Sequence, residues 1–469
     1  MGARDVGAAG RESPDTVEHL PVAVIGAGQA GLAMSWHLTA DGVDHAVLER
    51  DTALHTWSDA RWDSFCLVTP NWQCRLPGHA YDGPDPNGFM VKSEIVAWLD
   101  GYRASFDPPV REHTAVNSLR PLGDGPGAAD PAGGFAVRTT AGELVADQVV
   151  VATGGYHTPA IPRLAERLPA DLHQVHSARY RRPADLPAGP VLVVGTGQSG
   201  AQIAEDLHLA GRQVHLAVGY APRFARRYRG RDVIAWMHDT GHYARPVTDR
   251  PVEERSADRT NHYVTGRDGG RDIDLRAFAR QGMVLHGRLT GVDAGRFAFA
   301  DDLAANLDAA DEVYNGINEL IDAHIAANGL DVAVGPSRYT PVWQPPSATG
   351  PALAVTDVAA VVWATGFTRD YRWLHAGIFD GAGHPQHRRG VTAVPGLYLL
   401  GLPWLHTWGS GRFAGIARDA AYLAEQVRDR RARQVRAHQV RAGTLAGPTA
   451  DGARMVGQTW GGPWSPIGR

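Results

Sequence analysis

Three glycines near the start of the chain have the spacing of a dinucleotide-binding turn. Gly26, Gly28 and Gly31 follow an apolar run at 22–25 and precede a helical pattern at 32–38. In such a turn the first glycine allows the tight bend, the second lets the backbone approach a pyrophosphate, and the third lets helix and strand pack closely. The start of the helix adds free N–H groups and the positive end of its dipole. The pattern predicts a site for a dinucleotide.

An acidic residue strengthens this prediction. Glu49 ends the next strand-like run, HAVLE, at the distance from the glycines where a carboxylate hydrogen-bonds a ribose 2′-hydroxyl. Glycine spacing alone is a weak signal, because glycine-rich turns are common. The combination of a strand, a turn, a helix and an acid at the right spacing is specific for a dinucleotide site. The alternative, a plain glycine-rich turn, leaves Glu49 unexplained.

The same pattern returns later in the chain. A strand-like run at 191–194 precedes Gly195, Gly197 and Gly200, and the return strand ends at Gly219 instead of at an acid. Three arginines follow within one loop: Arg223, Arg226 and Arg227. Clustered guanidinium groups without a carboxylate suit a 2′-phosphate, so the second site is predicted to take NADPH in preference to NADH. A solvated basic loop is the alternative.

The composition of the chain indicates which class of protein carries these motifs. The chain has 469 residues, 43% hydrophobic and 20% charged, which is typical of a globular protein of two or three domains. Its net charge of −4 gives no reason to expect a nucleic-acid partner. No apolar run has the length of a membrane span, and 1–19 lacks the apolar core of a signal peptide, so we expect a cytoplasmic protein.

The order of elements predicts an α/β fold with two nested dinucleotide-binding, Rossmann-like domains. Ser93 is expected to cap a helix that runs to about residue 106, and the runs AVNSLRPL and GFAVRTT suggest a β-meander. An apolar strand ends in Ala-Thr-Gly at 152–154, and a second does so at 364–366. Five segments follow from this order: a disordered tail at 1–19, a first FAD domain part at 20–160, an NADPH domain at 161–345 with a helical insertion near 302–328, a second FAD part at 346–430, and a tail at 431–469.

The two cysteines are predicted to have no redox or metal-binding role. Cys66 and Cys74 lack the close spacing of a redox pair or of a zinc site, and no metal site is predicted. We expect both to be small buried side chains.

Two longer blocks support a family resemblance over about 20–430. The blocks RWDSFCLVTPNWQCRLPG and GLPWLHTWGSGRFAGIARDA, together with the two glycine motifs, resemble the class B flavin monooxygenases. That family includes the flavin-containing, N-hydroxylating, Baeyer–Villiger and plant auxin-forming enzymes. The chain is most similar to a bacterial subfamily of flavin-dependent oxidoreductases often encoded near a nitrilase. His176 and Tyr180 fit half of the family's linker fingerprint, whereas Ala170 and Leu172 depart from it, which disfavours Baeyer–Villiger chemistry.

The resemblance implies which residues hold FAD and NADPH. They are Gly26, Gly28, Gln29, Ala30, Gly31, Glu49, Arg50, Trp57, Arg61, Val116, Ala152, Thr153, Gly154, Gly195, Gly197, Gln198, Ser199, Gly200, Arg223, Arg226, Arg227, Ala364, Thr365, Gly366, Gly401 and Asp419. At Trp57 the family has a GTW turn beside the FAD, and here Leu54 and His55 replace its glycines.

The resemblance also implies the chemistry. NADPH reduces the flavin, O₂ adds to form a C4a-(hydro)peroxide, and the protein shields this adduct from water. Asn71 resembles the asparagine that faces the flavin, and an ordinary turn residue is its alternative. Trp72 and Gln73, with Trp404, His406 and Trp408, are expected to form a dry lid over the reaction, and for His406 a structural role is the favoured alternative. The expected reaction is oxygenation of a small substrate, with N-hydroxylation of an amine the sharper hypothesis.

Two other functions stay open at this point. An NADPH oxidase would release H₂O₂ without oxygenating a substrate, and a non-catalytic flavoprotein would act as a sensor or subunit. The oligomeric state is open as well: the amphipathic helix near 303–325 could supply the interface of a homodimer or belong to the core.

Overall fold

The computed structural model describes residues 17–123, 133–249, 262–346 and 353–445. These residues divide into two compact parts after Val427, and the second part continues the last helix. Most of the tails predicted at 1–19 and 431–469, and most of the residues between the runs AVNSLRPL and GFAVRTT, lie outside the described residues.

The first sheet has seven strands and carries the first nucleotide motif. Its members are β1 (Glu18–Ile25), β2 (His45–Leu48), β5 (Val110–Arg111), β6 (Val116–Pro121), β7 (Phe135–Thr139), β8 (Gly142–Val151) and β20 (Leu397–Leu399). The long strand β8 pairs in parallel with β1 on one side. On its other side it pairs antiparallel with β7 along its first half and parallel with β20 along its second. The predicted meander β6–β7–β8 is therefore confirmed.

The second sheet has five parallel strands. They are β10 (His173–His176), β11 (Val191–Val194), β12 (Val214–Ala217), β15 (Val284–His286) and β18 (Ala360–Trp363), in the order β10-β18-β11-β12-β15. The central strands are fully buried and read as continuous Val/Leu runs, as expected of a parallel sheet covered on both faces.

The position of β18 corrects the domain prediction. The segment 346–430 was assigned to the first domain, yet β18 lies between β10 and β11 in the second sheet. A buried apolar strand fits either sheet equally well, so its sequence does not identify its partner. The return to the first sheet comes later, at β20.

Eight helices surround the sheets in the described ranges. They are α1 (Gln29–Ala40), α2 (His55–Ser58), α3 (Lys92–Ala104), α4 (Gln198–Leu209), α5 (Val233–Asp239), α6 (Leu275–Arg280), α7 (Leu303–Asn328) and α8 (Phe413–Leu445). Helix α3 begins one residue before the predicted cap Ser93, because Glu94 accepts a hydrogen bond from the Val91 N–H and closes the helix start there. None of the described helices is both long and apolar enough to cross a membrane.

Short two-stranded ribbons connect these layers. They are β3 (Arg75–Leu76) with β4 (His79–Ala80), β9 (Thr158–Pro159) with β19 (Phe367–Thr368), β13 (Arg227–Tyr228) with β14 (Arg231–Asp232), and β16 (Leu289–Asp293) with β17 (Arg296–Phe299). The predicted helical insertion is α7. Its apolar residues Leu307 and Ile321 are buried in the cores of this chain, and Leu320 is exposed.

Candidate functional site

The first nucleotide motif has the backbone that its glycines predict. Gly26 has a φ of +103°, and a side chain there would place its Cβ 2.8 Å from the Ala152 carbonyl oxygen. A methyl group at Gly31 would overlap the Gly26 carbonyl oxygen, so helix and strand approach as closely as glycine permits. Gly28 has open space within 4 Å of its Cβ position. The turn therefore leaves room beside the start of α1.

Glu49 is tied to this turn. One carboxylate oxygen accepts a hydrogen bond from the Ala27 N–H at 2.7 Å, and the other accepts one from the Asp51 N–H at 2.9 Å. The carboxylate is thus fixed at the end of β2, beside the glycines, where a ribose hydroxyl is expected in this motif.

A cavity of about 530 Å³ opens in front of the turn. Many of the sequence-predicted residues line it: Gly26, Gly28, Gln29, Ala30, Glu49, Arg50, Trp57, Arg61, Val116, Ala152, Thr153, Gly154, Gln198 and Gly401. They come from the turn between β1 and α1, the start of α1, the ends of β2, β8 and β20, α2 and the segment after it, β6 and the start of α4. Residues from both nucleotide motifs therefore share one cavity.

Trp57 joins three walls of this cavity. Its indole N–H donates to the Gln29 side-chain oxygen at 2.7 Å, and the Gln29 amide donates to the Gly411 carbonyl at 3.2 Å. The Trp57 ring stacks on Phe413, with centroids 5.5 Å apart. Just before it, Leu54 has a φ of +63°, a left-handed conformation where the resembled family has glycine. The backbone turn is kept although the glycine is lost.

Two cavity-lining arginines bring positive charge inside the protein. The Arg61 guanidinium lies 5.3 Å from the Trp57 ring centroid and 5.2 Å from that of Phe65. The Arg412 guanidinium lies 3.7 Å from the Trp408 centroid and donates to the Trp408 carbonyl at 2.7 Å. Burial lowers the pKa of both arginines, because a low-polarity surrounding disfavours the charged form.

The second nucleotide motif repeats the backbone of the first. Gly195 also has a φ of +103°, and a Cβ there would lie 2.7 Å from the Ala364 carbonyl oxygen. A methyl group at Gly200 would overlap the Gly195 carbonyl oxygen. Of the predicted residues in this motif, Gln198 reaches the cavity, whereas Gly195, Gly197, Ser199 and Gly200 do not line it.

The second Ala-Thr-Gly segment, at 364–366, supports the second turn from outside the cavity. Ala364 N–H donates to the Val194 carbonyl at 2.9 Å, and the Gly366 carbonyl accepts from the Ala160 N–H and the His176 ring. The Thr365 hydroxyl donates to the Ala160 carbonyl. Ala364, Thr365 and Gly366 do not line the cavity, and they hold the second turn and the β9–β19 ribbon in place.

The predicted phosphate-binding arginine cluster is not present as a cluster. Arg223 and Arg226 are only 3% and 1% exposed. Arg223 pairs with Asp311 at 2.6 Å, and Arg226 pairs with Asp232 at 2.7 Å. Arg227 is exposed and donates to the Gly269 carbonyl at 3.3 Å. The prediction was wrong for Arg223 and Arg226, because buried carboxylates already neutralise their charges.

Asn71 also has a different position from the predicted one. It begins a 3₁₀ turn with Trp72 and Gln73, and none of the three lines the cavity. The Asn71 side chain donates to the Asp85 carbonyl at 3.0 Å and accepts from the Met90 N–H at 2.9 Å. Both ends of its amide are therefore used to fix the backbone, as the turn-residue alternative requires. The residues just before it, Leu67–Thr69 in sequence, line the cavity instead.

His406 and Asp419 support the cavity wall from behind. Neither lines the cavity, but Asp419 accepts a 2.6 Å hydrogen bond from the Ser410 hydroxyl, and Ser410 does line it. The Ser410 hydroxyl also accepts from the N–H groups of His406 and Thr407. Burial raises the pKa of Asp419. These contacts fix the aromatic loop before α8.

Several cavity residues were missed by the sequence reasoning. They include Tyr156, His157, Gln202, Phe224, His262, Ser410, Arg412 and Phe413. Two signals pointed to some of them: Tyr156 and His157 follow the Gly154-Gly155 strand end, and Arg412 lies within the block GLPWLHTWGSGRFAGIARDA. Phe224 lies in the predicted arginine loop, and His262 comes from a region without a motif, so only the tertiary fold brings these two here.

Comparison with known proteins agrees with this geometry. Residues 23–237 match the family model described as pyridine nucleotide-disulphide oxidoreductase. An uncharacterized CzcO-like oxidoreductase of Geobacillus kaustophilus is 32% identical over 409 residues, which cover 87% of this chain and 97% of that protein. The chain belongs to the CzcO-like oxidoreductase family.

Proteins outside the CzcO-like family are also similar to this chain. An indole-3-pyruvate monooxygenase of rice is 31% identical over 198 residues, or 42% of this chain and 47% of that protein. Among solved structures, a variant of the flavin monooxygenase from Stenotrophomonas maltophilia has a TM-score of 0.57 and 21% identity, covering 88% of this chain and 98% of its own. The predicted two-dinucleotide flavoprotein fold of this oxidoreductase is thereby confirmed.

Proposed function

We propose that this CzcO-like oxidoreductase is an NADPH-dependent FAD monooxygenase that acts on a small substrate. The observation that carries this proposal is the single cavity lined by Gly28 and Glu49 of the first motif and by Gln198 of the second. Two nucleotides held by these motifs would meet in one shared cavity. Such a meeting is required for hydride transfer between them.

The residues of the first motif fit FAD. The open space at Gly28 admits a pyrophosphate, the start of α1 offers N–H groups to it, and the Glu49 carboxylate is positioned for a ribose hydroxyl. Bound FAD would accept a hydride and activate O₂. The chain itself would hold the ring system near Trp57 and Phe413 and exclude water with Phe224, Ile234 and Trp408.

Thiol chemistry is a poor alternative in this fold. Cys66 and Cys74 are both buried and free, which agrees with the sequence prediction. Burial raises the pKa of each thiol to about 12, so neither is a thiolate near neutral pH. A disulfide-reducing mechanism needs a thiolate nucleophile, and these two cysteines do not supply one.

The positive charges in the cavity restrict which amines can be oxygenated at nitrogen. Oxygen transfer to an amine uses the nitrogen lone pair, so the amine must be neutral. The buried charges of Arg61 and Arg412 disfavour a protonated amine nearby and thus favour its neutral form. N-hydroxylation stays part of the proposal for a substrate whose nitrogen enters uncharged.

An anaerobic reduction experiment tests the proposal. The flavin-loaded protein is mixed with NADPH or NADH, and the loss of visible flavin absorbance is followed. Reoxidation with O₂ is then measured with and without candidate substrates, and oxygenated product and H₂O₂ are counted per NADPH. We expect reduction by NADPH and product formation at the expense of H₂O₂. Stoichiometric H₂O₂ with every substrate would instead support an oxidase, and absence of reduction would support a sensor or subunit.

The predicted partners and location stay proposals of the same kind. We infer a cytoplasmic enzyme whose partners are O₂ and a small substrate, and a homodimer that sedimentation velocity can test. Because Leu307 and Ile321 of α7 are buried within the chain, such a dimer would use the outer face with Leu320.

A further inference from the structure

Arg61 is a half-buried cation that the described residues leave without a counter-ion. Its guanidinium makes no hydrogen bond or ion pair in the described part of the chain, and its Nε is fully buried. Its neighbours are the faces of Trp57 and Phe65. A guanidinium removed from water is costly unless an anion accompanies it. Its position in the cavity wall makes a bound ligand the natural source of that anion.

The backbone at Arg61 is held in place by its neighbours, so the Arg61 side chain stays at the cavity wall. The Arg61 carbonyl accepts a 3.0 Å hydrogen bond from the Lys92 ammonium group. The next residue, Trp62, is buried in the core of the second sheet. This segment therefore bridges the two nucleotide motifs and has little freedom to move Arg61 out to solvent.

Arg412 adds a second positive charge to the wall of the same cavity, which Tyr156 also lines. The surrounding walls are aromatic: Trp57, Phe65, Tyr156, Phe224, Trp408 and Phe413. A planar apolar body carrying one negative group matches such a chamber better than a cation does.

We propose that Arg61 binds an oxyanion of the substrate, and that the substrate class is a small aromatic carboxylate. This inference rests on the proposed function. The dinucleotide phosphates have their own binding elements, because each glycine turn meets the start of a helix. Arg61 lies on another wall, between aromatic rings, where a carboxylate would receive a charge-assisted hydrogen bond.

A titration with three matched probes tests this assignment. Flavin-loaded protein is titrated with phenylacetate, phenylacetamide and 2-phenylethylamine, which differ in charge but share the ring, and binding is followed by flavin absorbance. We expect phenylacetate to bind at least about tenfold more tightly than the amide, with the amine weakest. Similar affinities for the acid and the amide would overturn the proposal. Because the titration uses neither NADPH nor O₂, its outcome is independent of whether the proposed reaction occurs.

Variants assign the effect to the residue. In Arg61→Gln the tenfold preference is expected to disappear, whereas Arg61→Lys keeps most of it because the charge is retained. Arg138→Gln is the matched control, since Arg138 is an exposed arginine of β7 paired with Glu143. If Arg61→Gln loses FAD or NADP⁺ affinity while the preference for the acid persists, the oxyanion is a cofactor phosphate and the substrate assignment is wrong. Melting temperature and flavin content establish that each variant is folded.

Discussion

The two nucleotide motifs share a backbone and differ in the residues that follow it. Both have a first glycine at φ +103° and a third glycine against the carbonyl of the first. In both, the first glycine N–H donates to the end of the return strand, Leu48 or Ala217, at 2.8 and 3.0 Å. Their ligand-facing sides are nevertheless unlike, because β2 is followed by Glu49 and β12 by Val218-Gly219.

This difference shows which part of a nucleotide motif carries specificity. The glycines set the approach of strand and helix, and a single side chain after the return strand sets the chemistry presented to the ribose. In the first motif this side chain is bonded to the turn itself. In the second motif a nearby arginine is already neutralised by a carboxylate of the chain, because Arg223 forms an ion pair with Asp311.

The largest expected effect on function comes from filling the third glycine of each motif. In Gly31→Ala the methyl group displaces the Gly26 carbonyl, and we expect loss of bound flavin together with about 3 kcal/mol of stability. In Gly200→Ala flavin should remain while reduction by NADPH slows. Flavin content and anaerobic reduction rates measure the two effects. Gly316→Ala, on the exposed face of α7 with open space at its Cβ, is the control and should be slightly stabilising. Equal flavin loss in both motif variants would contradict a division of labour between them.

The next effect tests whether Arg223 is structural. Asp311 pairs with both Arg223 and Arg276, so Asp311→Asn leaves two buried guanidinium groups poorly compensated. We expect a loss of about 3–5 kcal/mol in the free energy of unfolding, measured in urea. Asp239→Asn removes an exposed pair with Arg231 and should change it by less than about 1 kcal/mol. A small loss of stability in Asp311→Asn, together with a raised KM for NADPH, would indicate instead that Arg223 binds the phosphate.

The third effect depends on pH and arises at two neighbouring strands of the second sheet, β12 and β15. His286 lies 3.0 Å from His215, and burial lowers the pKa of His286 to about 4 from 6.5. Below pH 6.5 the unfolded chain binds the proton first, so stability is lost as the pH falls from 6.5 to 4, by up to about 3 kcal/mol. His286→Gln should flatten this dependence in urea unfolding, whereas His19→Gln, at an exposed position, should not. An unchanged slope would show that other groups govern acid stability.

The smallest effect transfers the acid of the first motif to the second. A side chain at Gly219 meets open space, so Gly219→Glu is sterically accepted. The new carboxylate would repel a 2′-phosphate and accept from a 2′-hydroxyl, so the ratio of kcat/KM for NADH over NADPH should rise about tenfold. Gly219→Gln is the uncharged control. If the ratio does not respond to the charge, the end of β12 is not where the adenosine ribose binds.

Much of the fold and part of the site could be predicted from the sequence. The two turns, the meander and Glu49 depend on local backbone chemistry, which glycine spacing and strand periodicity encode directly. The sheet that β18 joins and the burial of Arg223 and Arg226 depend on partners far along the chain, such as Asp311. Asn71 shows the same limit: its amide is used by Met90 and Asp85, which no pattern around TPNWQ indicates.

The placement of β20 has a consequence for how the protein is made. The first sheet begins with β1 at residue 18 and is completed by β20 at 397–399, so the ribosome must add nearly the whole chain before that sheet can close. At about 5–20 residues per second, this interval lasts roughly 20–75 s. The edge of β8 that receives β20 stays open during that time, as does the site at the first glycine turn. The enzyme therefore becomes able to retain a flavin only after β20 has been synthesised.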